Sequence, residues 1–112
     1  MSDNDCLFCK IASGEMDVPL VYEDEHVVAF DDIAPKAAVH TLIVPKIHVK
    51  NLAEQPDREL VGNIFGAAHE VARIKGVDES GYRLIQNNGP DACQSVQHLH
   101  VHLLGGEQLP EW

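Results

Sequence analysis

Residues 96–104 read VQHLHVHLL. His98, His100 and His102 alternate with Leu99, Val101 and Leu103, and alternation with period two is the mark of a β-strand, whose successive side chains point to opposite faces. The pattern predicts a last strand over 96–104 that buries its aliphatic residues under a helix and lines an open surface with imidazoles. At a rise of ~3.3 Å per residue, neighbouring rings on that face stand ~6.6 Å apart. A polar strand face filled by histidine through accident is the alternative, and strict alternation beside a loop rich in polar residues argues against it.

Working outward, 82-YRLIQN-87 reads as a strand that runs into the turn-rich Asn88-Gly89-Pro90-Asp91. From Asp57 to Gly76, Leu60, Val61, Ile64, Phe65, Ala68, Val71 and Ala72 recur every three or four positions, which predicts the main helix. His69 sits at the margin of its apolar stripe and reads as a solvated surface residue. 40-HTLIVP-45 is a buried strand ended by Pro45, and Ile33-Ala34-Pro35-Lys36 is a loop. 20-LVYE-23 and 27-VVAFDD-32 form a hairpin around Asp24-Glu25-His26, with His26 exposed in its turn. Residues 6–13, CLFCKIAS, are a short helix stopped by Gly14. The expected fold is α+β: a five-stranded antiparallel sheet with one main helix and a short N-terminal helix, covered on one face and free on the other.

The chain has 112 residues, 45% hydrophobic and 23% charged, which suits a single folded domain over 1–112. Apolar runs such as Val27-Val28-Ala29-Phe30 fall far below the ~20 residues of a membrane helix. The opening MSDNDCLFCK carries acids where a secretory signal carries bases, so a cytoplasmic location is expected, with no membrane partner. A net charge of −10 repels a phosphate backbone and argues against nucleic acid as a partner. Cys6, Cys9 and Cys93 are an odd number without an export signal, so a disulfide framework is not expected. Cys6-x-x-Cys9 by itself suits either zinc or redox chemistry, although a redox pair is expected after a strand of a thioredoxin-like unit, a pattern missing here.

A row of imidazoles suits two chemistries. Histidines two apart on a strand can share a catalytic zinc that activates water. Alternatively, one neutral imidazole attacks phosphorus while its neighbour stabilises charge on the phosphoryl oxygens. That second chemistry needs the nucleophilic ring held in one tautomer, through a hydrogen bond from its other nitrogen to a carbonyl.

The run 94-QSVQHLHVHLLGG-106 resembles the signature of the histidine triad (HIT) superfamily, H-φ-H-φ-H-φ-φ with φ apolar, and its flanks resemble the Hint branch. The likeness extends through 28-VAFDDIAPKAAVHTLIVPKIHV-49 and 82-YRLIQNNGPD-91. It implies a nucleotide hydrolase or transferase, foremost a purine nucleoside phosphoramidase acting through a nucleotidyl-histidine. Dinucleoside polyphosphate hydrolysis and a nucleotide-binding scaffold with incidental activity are the alternatives. By the same resemblance His100 is the nucleophile, His102 holds phosphoryl oxygens, Ser95 donates to the phosphate or assists the leaving group, and His40 supports His100 from the neighbouring strand. A packed residue at the start of a strand is the competing reading of His40.

The resemblance also assigns nucleotide contacts. Asp32 matches the carboxylate that accepts from ribose hydroxyls, Ile33 an apolar wall of the base slot, and Asn87, Cys93, Gln94 and Ser95 the phosphate and sugar contacts, beside His100 and His102. Cys93 departs from the family, which commonly has glycine there. Bacterial-type members and related uridylyltransferases bind structural zinc through a CxxC pair and two histidines, which match Cys6, Cys9, His48 and His98. The chemistry itself requires no cofactor. Family members of this type are usually homodimers whose two sheets join, and Trp112 is placed to reach the partner's site or else to fray as a terminal residue.

Overall fold

A computed structural model describes residues 5–112. Its elements are α1 (Leu7–Ser13), β1 (Tyr22–Glu23), β2 (Val27–Asp31), β3 (Val39–Pro45), α2 (Arg58–Ile74), β4 (Tyr82–Ile85) and β5 (Val101–Gly105), with single 3₁₀ turns at Leu52–Glu54 and Pro90–Ala92. The strands form one sheet in the order β1-β2-β3-β5-β4, every pair antiparallel. The last strand is thus inserted between β3 and β4, with Leu42 opposite His102 and His40 opposite Leu104. Insertion places the histidine strand near the middle of the sheet, where its neighbours fix it on both sides.

α2 packs Ile64, Ala67, Ala68, Val71 and Ala72 onto one face of the sheet, against Val27, Ala29, Ile43, Leu99, Val101 and Leu103. The aliphatic half of the alternating run is therefore buried under the main helix, as its period requires. The opposite face, expected from the sequence to be free, is partly covered. α1 lays Phe8 and Ile11 over Val28, Phe30, Leu42 and Val44, forming a second, smaller core. α1 has seven residues, with the Cys6 Sγ accepting the Cys9 amide at its start and Gly14 at φ 84° closing its end. A helix so short covers part of the face and leaves an open cleft beside it.

Two further expectations need correction. β5 begins at Val101 rather than at 96, because Leu99 N–H donates to Val49 in the loop after β3 and the segment ahead of it no longer follows the ladder. The three histidines do not form a solvent-facing row: they share a face, but His98 is 0% and His100 5% exposed, because α1 covers them. Among the described residues, no helix is long and apolar enough to cross a membrane.

Candidate active site

His100 lies on the floor of a cleft of about 320 Å³, lined also by Phe8, Phe30, Asp32, Ile33, Ser95 and His102. Its Nδ1–H donates to the carbonyl of His98 at 2.7 Å. A carbonyl only accepts, so Nδ1 carries a proton, and in the neutral ring the lone pair is on Nε2. This is the tautomer that attack on phosphorus needs. Phe8 stands edge-on to the ring at 5.1 Å and 88°, fixing its plane from the α1 side. A larger, more open groove of about 580 Å³ runs between β4 and the C-terminal segment, but histidine and cysteine are absent from its lining. The smaller cleft is where the histidines lie.

His102 is half-buried beside His100, their ring centroids 4.9 Å apart. Burial first, then the neighbouring His100 and His40 rings, push its imidazole down to about 4, so it is neutral at physiological pH. His40, from β3, places Nε2 at 2.9 Å from His102 Nδ1 and at 3.5 Å from Asp32 Oδ2. It therefore supports His102 rather than His100, a consequence of the register that puts His102 beside β3. Burial holds the His40 imidazole below its ordinary value, with Asp32 pulling partly the other way. Asp32 Oδ1 accepts the Ala34 amide, which shapes the loop and leaves the second oxygen toward the histidines. Ile33 is fully exposed on the rim. The neighbouring Asp31 points to the other face, where it accepts from Lys75 and Thr41 and ties the end of α2 to β2.

Cys93, Gln94 and Asn87 stand apart from the cleft lining. The Gln94 side chain is committed to the loop: Oε1 accepts from Asn51 Nδ2 and the Gly89 amide, and Nε2 donates to the Lys50 and Val96 carbonyls. Four hydrogen bonds on a buried amide make it the clamp that holds Ser95 at the cleft. Cys93 sits in the left-handed region at φ 62°, the conformation that glycine adopts without cost. Trp112 is fully exposed, and His69 is exposed with Nδ1 at 2.8 Å from the Tyr82 hydroxyl.

Cys6, Cys9, His48 and His98 bring their ligand atoms within 4.8 Å of one another. Individual separations are 3.2 Å for Cys6 Sγ to His98 Nδ1, for Cys9 Sγ to His48 Nδ1 and for His48 Nδ1 to His98 Nδ1. A tetrahedral zinc site with bonds of about 2.0–2.3 Å has edges of roughly 3.3–3.8 Å, close to these spacings. His98 Nε2–H donates to the Pro45 carbonyl at 2.9 Å, which leaves the Nδ1 lone pair aimed at the cluster. Two thiols and two oriented imidazoles are a closed set that fits zinc and ties α1 to the loop after β3 and to the segment before β5. Nothing in the sequence marks Phe8 or Asn51 for the site: Phe8 carries an apolar signal indistinguishable from any core residue, and Asn51 acts only through a contact made in three dimensions.

The HIT domain family model matches residues 13–109. Among curated relatives, a 14 kDa zinc-binding protein of Zea mays is 45% identical over 113 residues, covering 97% of this chain and 88% of the relative. Adenylylsulfatase HINT1 of Arabidopsis thaliana is 41% identical over 112 residues, covering 96% and 76%. The solved structure of a histidine triad protein from Clostridium difficile superposes with a TM-score of 0.93 at 45% identity, covering 100% of this chain and 99% of that one.

Proposed function

We infer the activity from two premises: the chain belongs to the HIT domain family, and its cleft presents an imidazole, His100, whose Nδ1–H is held by a backbone carbonyl. It is a nucleotide hydrolase of that family. The finer reading is a purine nucleoside phosphoramidase that releases AMP or GMP, and the single observation that carries it is the His100 Nδ1–H donated to the His98 carbonyl in a cleft shared with Asp32, Ser95 and His102.

In this reading the base lies against Ile33 and the apolar wall of α1, and the Asp32 carboxylate accepts from the ribose hydroxyls. His100 Nε2 attacks the α-phosphorus, the new P–N bond forms as the bond to the leaving amine breaks, and the amine departs with a proton donated through Ser95. Negative charge on the non-bridging oxygens is met by His102. Water then attacks the same phosphorus and returns a proton to Ser95 as the P–Nε2 bond breaks, leaving nucleoside monophosphate and neutral His100. The family resemblance assigns the remaining phosphate and sugar contacts to the loop backbone around Cys93, Gln94 and Ser95, with Asn87; of these Ser95 lines the cleft.

Cys6, Cys9, His48 and His98 hold a structural zinc in this reading, supported by the zinc-binding name of the maize relative and the convergence of four donors. Zinc supplies cross-linking there and no step of the reaction. β4 is an edge strand, and a homodimer formed by joining two sheets would bring Trp112 toward the partner's cleft.

Mass spectrometry of protein quenched during turnover of adenosine 5′-monophosphoramidate tests the mechanism. A nucleotidyl mass on the peptide containing His100 is expected, and a folded His100→Ala variant is expected to lose turnover. Unchanged turnover in that variant would refute the nucleophile. Relative kcat/KM for the phosphoramidate against diadenosine polyphosphates separates the phosphoramidase from a polyphosphate hydrolase, the favoured substrate having the higher value.

A further inference from the structure

A chain of hydrogen bonds runs from a loop amide into the cleft. The Lys36 backbone N–H lies 3.0 Å from His40 Nδ1. An amide N–H can only donate, so Nδ1 keeps its lone pair and a neutral His40 carries its proton on Nε2. That Nε2 is 2.9 Å from His102 Nδ1. Donation from Nε2–H to Nδ1 obliges His102 to hold its own proton on Nε2, the remaining nitrogen of a ring that lines the cleft.

We propose that Lys36 is a positioning residue: its backbone amide, relayed through His40, locks His102 in the tautomer whose Nε2–H donates to a phosphoryl oxygen. Pro35 restricts the backbone immediately before this amide, and Asp32 organises the start of the same loop through the Ala34 amide. Burial and the Lys36 charge both keep the His40 and His102 rings neutral, as a tautomeric relay requires. The geometry also decides between two uses of Asp32, His40 and His102, whose donor atoms cluster within 4.8 Å. A metal would need the lone pair of His40 at Nε2, whereas the Lys36 amide puts the proton there. The cluster is a hydrogen-bond relay.

The proposal rests on the reading of His102 as a phosphoryl donor, so its test needs a measurement made without substrate. ¹⁵N NMR of the imidazoles reports which nitrogen of each ring is protonated. In the unmodified protein His40 and His102 should both be Nε2–H. Replacing the residue 36 amide by an ester through an α-hydroxy acid, or substituting Lys36→Pro, removes the donor. Either change should move part of the His102 population to Nδ1–H and lower kcat on the order of tenfold with KM little changed. That is less than the ~10²-fold expected when a preorganised donor is lost outright, because the working tautomer stays partly populated. Lys36→Ala keeps the amide and should leave both tautomers unchanged. The ester variant preserves side-chain shape if Lys36→Pro fails to fold. Unchanged tautomers in the folded ester variant, or Nδ1–H on His102 in the unmodified protein, would overturn the lock. Shifted tautomers with full turnover would sustain the lock and overturn the role of His102 in the reaction.

Discussion

At the scale of the residue, each imidazole of the cleft is defined by what its second nitrogen meets. His100 is set by a carbonyl, His40 by an amide, and His102 by His40. Two of these partners are backbone groups without a signature of their own and the third acts through the register of β3, which is why the alternation of 96–104 exposes the histidines but not their protonation. The environment of His102 has a measurable consequence. Its imidazole titrates at about 4 in the folded chain and near the usual 6.5 when unfolded. Between those values the unfolded chain binds the extra proton, so the contribution to stability is complete above about pH 6.5 and lost as pH falls toward 4. Tm measured from pH 7 to 4 should therefore fall more steeply in the unmodified protein than in His102→Asn. Parallel curves would show that the ring titrates alike in both states.

At the scale of the element, the helix of 58–74 and the sheet strands were legible because their periods, 3.6 and 2, survive in the sequence. The start of β5 was not legible, since His98 and Leu99 keep the alternation while their backbone turns to the loop after β3. α1 is legible as a short helix, but its cover over His98 and His100 is a tertiary fact that seven residues do not announce. The triad was readable from its alternation, and the four zinc donors as a set only through the resemblance to the histidine triad superfamily, since the CxxC pair alone leaves redox chemistry open, whereas the Gln94 clamp depends on Asn51, 43 positions away. The 3₁₀ turn at Pro90–Ala92 ends on Cys93 in the left-handed region, where the family pattern has glycine. A side chain in that region costs roughly 1–2 kcal/mol, partly offset by the freedom that glycine would add to the unfolded chain. Cys93→Gly should raise stability by about 0.5–1 kcal/mol and Tm by a few degrees, read by thermal denaturation. A lower Tm would mean that the thiol makes a packing contribution larger than the backbone strain.

At the scale of the whole molecule, the cluster of Cys6, Cys9, His48 and His98 joins parts of the chain that the sheet alone does not connect. α1 touches the sheet only through its small apolar face, and a helix of seven residues is marginal by itself. A metal held by two residues at its N-terminal end and by two histidines from distant segments would fasten it over the cleft. His98 then acts twice: Nδ1 faces the cluster, and its carbonyl receives the His100 proton. Removing zinc should consequently loosen α1 and blur the tautomer of His100 together. Protein purified without added metal should contain close to one zinc per chain. Exhaustive chelation should lower Tm on the order of 10 °C, equivalent to about 2–3 kcal/mol, and readdition of zinc should restore it. Cys6→Ser with Cys9→Ser should reproduce the low Tm and remove its response to chelator. Metal content and Tm unchanged by the double substitution would place the metal elsewhere. A stoichiometric loss of zinc with unchanged Tm would show that packing of Phe8 against Phe30 and His100 is enough to hold the helix down.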